Sequence, residues 1–249
     1  EPGKKASAES RMWVYTSGRS PTPIVLYEYQ PTRSGQHARR FLEGFSGYLQ
    51  TDGYSGYNAV PNVTHCGCWA HLRRKFEEAL PKGADIVGSK AAIGFEYCNR
   101  LFDLERKWAE LTADERQKRR IEHSKPVLDE FWQWLSTLNP LQNSNLGKAV
   151  TYALNQKEAL NNFLLDGRTE ISNNRAENAI RPFVNGRKNW LFSDTQRGAK
   201  ASAIVYSMIE SAKANQLNPY MYLVLLLTKL PGLKELTAES LNPFLPWSP

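Results

Sequence analysis

The spacing of apolar residues changes period several times along this chain, and each change marks a different kind of element. Residues 11–16 (RMWVYT) and 23–29 (PIVLYEY) are dense in β-branched and aromatic residues, and the turn-forming SGRSPT lies between them. That pairing predicts a β-hairpin. Residues 36–45 place Ala38, Phe41, Leu42 and Phe45 along one helical face. A strand-like run, GYLQT over 47–51, ends on Asp52 and enters a turn built on Gly53 and Gly56, with Tyr54 and Tyr57 between. A second short strand is predicted over 62–68 (NVTHCGC), followed by a helix from Trp69 to Pro81.

From about residue 89 to 165 the helical period takes over. Phe95, Leu101, Phe102, Leu104, Trp108 and Leu111 recur at helical spacings, as do Val127, Leu128, Phe131, Trp134 and Leu135. Pro126 and Pro140 mark a kink and a stop, and no strand pattern intervenes. The pattern predicts an α/β domain in two parts, 1–88 and 171–249, separated by a helical insertion over 89–170. In the second part, Asn173 and Asn174 form a reasonable helix cap and Pro182 limits or kinks the helix that follows. A strand-like piece at 189–192 leads into a long helix over 198–215 and a final apolar helix over 219–230.

Composition narrows the class. With 41% hydrophobic and 23% charged residues, the 249-residue chain is a folding, globular one and long enough for a sizeable core. Its longest apolar run, YMYLVLLL at 220–227, falls short of the ~20 residues that span a bilayer. The polar opening EPGKKASAES has no apolar signal core and no initiator Met, which suggests a piece of a longer chain. Three cysteines, odd and sparse, favour a reducing compartment. The net charge of +7 permits a polyanionic partner without requiring one.

Four features carry possible chemistry. Asp52 is either a turn-former before Gly53 or a ligand at the end of a buried strand. Glu177 is either half of a surface pair with Arg181 or a carboxylate pointing into a site, among Asn174, Asn178 and Arg181. Cys66, Cys68 and His71 lie close in sequence, but a structural zinc site needs four ligands and a second pair is missing. Basic clusters at Arg39-Arg40, Arg73-Arg74-Lys75 and Lys118-Arg119-Arg120 read as solvated helix faces. The cluster over 185–200 differs: Arg187, Lys188, Arg197 and Lys200 bracket Trp190 and Phe192, which places cations for phosphates beside aromatics that stack on bases. No glycine-rich phosphate loop and no nucleophile triad signature is present.

In order, LQTDGYSGYN, CWAHLRRKF, NNRAENAIRPFVNGRKNWLF and GAKASAIVYSMIESAK resemble the catalytic region of insertion-sequence 66 family transposases, and PYMYLVLLLTKLP with LPW resembles that family's C-terminal end. The resemblance implies a ribonuclease-H-like mixed sheet flanked by helices, interrupted by a helical insertion, with an Asp-Asp-Glu metal site for Mg²⁺ or Mn²⁺. Asp52 matches the second Asp and Glu177 the Glu. Cys68 and His71 match a Cys-x-x-His element that shapes such sites, with Asn174 and Arg181 beside Glu177. The implied partners are transposon-end and target DNA, and the implied form is a dimer or larger assembly on that DNA, in the bacterial cytoplasm at the nucleoid. The strand carrying the family's first Asp lies ahead of residue 11 and has no match here, so the chain as it stands is expected not to cleave DNA. A non-catalytic DNA-binding or assembly module and a nuclease of the same fold remain open alternatives.

Overall fold

The computed structural model describes residues 10–190 and 195–248. In chain order the elements are β1 (Arg11–Thr16), β2 (Val25–Gln30), α1 (Gly35–Phe41), β3 (Gly47–Gln50), β4 (Val63–Cys66), α2 (Trp69–Glu78), α3 (Lys90–Lys107), α4 (Ala113–Arg119) and α5 (Lys125–Ser136). They continue as α6 (Asn145–Asn155), α7 (Lys157–Asn161), α8 (Asn174–Trp190), α9 (Gln196–Ala214), α10 (Pro219–Lys229) and α11 (Ala238–Leu241). The fold is α/β and mostly helical, with small sheets. Two compact units divide it: residues 1–37 with 175–249, and residues 38–174.

In the first unit β1 and β2 form the hairpin that their composition predicts, antiparallel with Arg11 opposite Gln30 and Thr16 opposite Val25. Ser17 closes the connection, its backbone N–H donating to Ile24 O and its Oγ accepting from Ile24 N. The outer edge of β2 is occupied by side chains of α9. Ser211 Oγ accepts from Val25 N at 3.0 Å and donates to Val25 O at 2.9 Å. Ser207 Oγ accepts from Tyr27 N at 2.8 Å, and Asn215 donates to Pro23 O. Serines four residues apart on one helical face therefore satisfy strand groups that would otherwise lose water without a partner. Around this seam Val25, Tyr27 and Ala203 are buried, with Ala179, Ile180 and Phe183 of α8 packed against them. The Tyr27 hydroxyl donates to Ala179 O. That bond lies one turn ahead of Pro182, whose ring removes a helical N–H. α10 packs through Tyr222 and Leu226 on Ala212.

In the second unit β3 and β4 pair in parallel, Gly47 opposite Val63 and Gln50 opposite Cys66. The core beneath them is helical: Trp69, Leu72 and Phe76 of α2 meet Cys98 and Leu101 of α3, Phe131 and Leu135 of α5, and Ala149 and Ala153 of α6. Phe131 stands at its centre, edge-on to Trp69 at 5.4 Å between ring centroids and to Trp132 at 4.8 Å. Helices fill residues 90–161, as the periodicity predicts, and Pro126 follows a π-helical turn, Arg120–Ser124, that joins α4 to α5.

Three sequence expectations change. The helix predicted over 36–45 stops at Phe41, with Gly44 at φ +79 in the turn beyond, and Phe41 and Phe45 stay about two-fifths exposed. The mixed sheet is present, among the described residues, as two separate two-stranded ladders. The strand-like piece at 189–192 is helical at Asn189 and Trp190, which end α8, because a short apolar run does not by itself distinguish strand from helix. Leu191 and Phe192 lie outside the described residues.

Candidate functional site

Asp52 is placed by the β3–β4 ladder. Thr51 N donates to Cys66 O at 2.9 Å, extending the parallel pairing one residue past β3, and the chain then turns at once. Asp52 Oδ1 accepts from Tyr54 N at 3.0 Å, an Asx turn. Asp52 O accepts from the Tyr152 hydroxyl of α6 at 3.2 Å. Gly53 has φ +85, the left-handed region that favours glycine, and a Cβ there would stand 3.1 Å from the Gln156 side-chain amide. Gly56 is required by close approach: a Cβ would overlap the Tyr54 ring at 2.2 Å. Asp52 is half-buried, and its Oδ2 makes no hydrogen bond among the described residues. The turn thus engages one carboxylate oxygen of the two.

Cys68 and His71 fall at the start of α2. Cys66 and Cys68 are buried, and burial pushes the Cys66 thiol up to about 12, away from the thiolate that a metal binds. Around them the backbone is tied on both sides: Gly67 N donates to Ala159 O at 2.8 Å, and Trp69 N to Ile171 O at 3.0 Å. Trp69 Nε1 donates to Leu160 O at 2.8 Å. The Cys-Gly-Cys-Trp segment therefore fixes the backbone three residues before α8 begins. Among the described residues, no three His, Cys, Asp or Glu side chains gather as a metal site.

Glu177 lies in the first turn of α8, where a carboxylate meets the positive end of the helix dipole. It is half-buried, while Asn174 and Arg181 are exposed. Asp52 and Glu177 belong to different compact units. Arg187 and Lys188 are exposed in the last turns of α8, and Trp190 is its last residue. Arg197 and Lys200 are exposed in the first turns of α9, whose Thr195 cap accepts from Gly198 N at 3.0 Å. Cations at a helix N-terminus work against its dipole, and no acid offsets them in that turn. Four residues separate Trp190 from Thr195, so the two helix ends lie within about 18 Å of each other.

One feature escapes the sequence entirely. A cavity of about 370 Å³ opens beside Asp52, between the turn after β3, the strand β4 and the α6–α7 junction. Tyr54, Asn58, His65, Asn155, Gln156 and Asn162 line it. Burial holds the His65 pKa below its ordinary value. Asn155, Gln156 and Asn162 sit at a helix junction where periodicity marks only core positions, so nothing along the chain singles them out.

Comparison with known proteins agrees across the chain. The family model described as transposase IS66 family matches residues 1–201, and the one described as IS66 C-terminal element matches residues 207–247. The uncharacterized protein y4qI of Sinorhizobium fredii (strain NBRC 101917 / NGR234) is 33% identical over 265 residues, covering 99% of this chain and 48% of its own length. Its counterpart y4hP from the same strain is 32% identical, with 95% and 47% covered, and y4jD is 30% identical, with 100% and 51% covered. The chain thus spans about half the length of these relatives. No solved structure matches it. Among the described residues, no helix is long and apolar enough to cross a membrane.

Proposed function

Because the chain belongs to the IS66 transposase family, we propose that it forms the catalytic core of a DNA transposase, ribonuclease-H-like, in which Asp52 and Glu177 hold Mg²⁺ or Mn²⁺. The observation that carries this reading is Asp52 at the carboxyl end of a parallel strand pair, in a glycine turn that leaves one carboxylate oxygen without a hydrogen bond among the described residues. The donor set fits, because these hard cations take oxygen ligands and retain waters. When bound, the metal activates an attacking oxygen and stabilises the leaving one in an in-line displacement at phosphorus. The chain's own residues do the rest. Arg187, Lys188, Arg197 and Lys200 neutralise phosphates and hold the strand in place, and the stacking role falls to Trp190. Cys68 and His71 anchor the segment leading to α8, with Asn174 and Arg181 flanking Glu177.

In this reading a third carboxylate completes the metal site. The working form is a dimer or larger assembly on transposon ends and target, at the nucleoid in the bacterial cytoplasm. The test uses the full-length protein with element-end DNA and Mg²⁺ or Mn²⁺. Nicking and joining are both expected, and both are lost in Asp52→Asn and in Glu177→Gln while DNA binding persists. Activity retained in either variant overturns the assignment. A full-length protein that binds DNA but never cuts it supports the non-catalytic module instead.

A further inference from the structure

The cavity beside Asp52 is polar, walled by the turn after β3, by β4 and by the α6–α7 junction. Asn58 and Asn155 make no side-chain hydrogen bond among the described residues, and neither does Gln156, whose amide lies over Gly53. Asn162 spends its Nδ2 on His65 O at 2.9 Å, which leaves its Oδ1. Among the described residues no Lys or Arg lines the space, and the exposed Glu158 does, so phosphate is a poor occupant. What the lining offers is a set of neutral groups that each donate and accept: three or four carboxamides and the His65 ring, which burial biases to its neutral form. Tyr54 adds an aromatic wall, its ring held edge-on to Tyr57 at 5.8 Å and packed over Gly56.

A flat heteroaromatic ligand with alternating donors and acceptors along its edge matches that lining. A volume of about 370 Å³ is large enough to admit such a ring system. We propose that the cavity receives a single unstacked nucleobase of the DNA strand, turned out of the helix next to Asp52 and read on its edge by Asn58, Asn155 and Gln156. This rests on the DNA-processing reading above and adds a site to it. Carboxamides recognise base edges by paired donor–acceptor hydrogen bonds. A base that is already mismatched, bulged or single-stranded enters most readily, since it has least stacking to lose.

The test compares three labelled DNAs against the 249-residue chain, with free deoxyadenosine as competitor: a matched duplex, the same duplex with one bulged 2-aminopurine, and the same bulge made abasic. The expected result is binding of the bulged duplex roughly tenfold tighter than the matched one, the scale of one captured base. The 2-aminopurine fluorescence should change on capture, and the abasic bulge should lose the gain. In Asn58→Ala/Asn155→Ala, both on the exposed side of the cavity, the preference should fall to near one with matched-duplex affinity unchanged. Matched and bulged DNAs binding alike, or a preference surviving that double variant, overturns the cavity's role and leaves the DNA reading standing. Failure to bind any DNA overturns both. Deoxyadenosine competing at micromolar concentration would overturn the strand as source and make the cavity a free-nucleoside site.

Discussion

Asp52 illustrates how much a single residue's sequence context conveys. Asp before Gly announces a turn, and the turn is there, made by Oδ1 with Tyr54 N. The other oxygen, Oδ2, makes no hydrogen bond among the described residues, and no pattern along the chain distinguishes the two oxygens of one carboxylate. The same holds for His65, an ordinary strand residue in sequence whose environment comes from Asn162 and the α6–α7 junction about a hundred positions later. Burial lowers its pKa from 6.5, so the unfolded chain takes up the proton first as pH falls. Its contribution to stability is complete above about pH 6.5 and is lost progressively below, through the lowered folded-state value. The urea midpoint should therefore drop as pH falls below about 6.5, and His65→Gln should remove part of that drop.

Element boundaries are legible wherever one face is apolar. The hairpin, α2, α5 and the long C-terminal helices follow their patterns, since period-2 and period-3.6 spacing answer directly to which side is buried. The pattern fails where burial is polar. Lys118-Arg119-Arg120 reads as a solvated basic run, yet only Lys118 and Arg119 are exposed. Arg120, in a π-helical turn between α4 and α5, is fully buried in a two-pronged pair with Glu105, Nε and Nη2 each 2.7 Å from a carboxylate oxygen. Its remaining N–H groups go to Phe163 O, Asp166 O and Thr169 O. Arg116 donates to Trp108 O and Gly167 O, so two arginines fasten the 163–169 segment to the helices. Glu105→Ala should cost about 3–5 kcal/mol, because it strands a buried guanidinium. Adding Arg120→Met should recover much of that loss in urea unfolding, which separates the cost of a stranded charge from that of weaker packing.

At the scale of the molecule, periodicity suggests an insertion bounded near residues 89 and 170, whereas compactness groups 38–174 together. The reason is one shared core: Phe131, deep in the helical region, packs on Trp69, the residue that follows Cys-Gly-Cys. Family membership is legible because several motifs recur in one order, and it covers both acids and the basic segment. The net charge of +7 is modest, so a specific cation set matters more than the total. Replacing Arg187, Lys188, Arg197 and Lys200 with Ala should lower the slope of log affinity against log salt by about 0.9 for each phosphate no longer neutralised. Fluorescence anisotropy across a salt series measures it, and an unchanged slope would place the phosphate-binding cations elsewhere. The serine and asparagine side chains that α9 lays along β2 have a consequence for assembly. Ser207, Ser211 and Asn215 occupy Pro23 O, both backbone groups of Val25 and Tyr27 N, so a strand arriving at that end of β2 finds its pairing groups already taken.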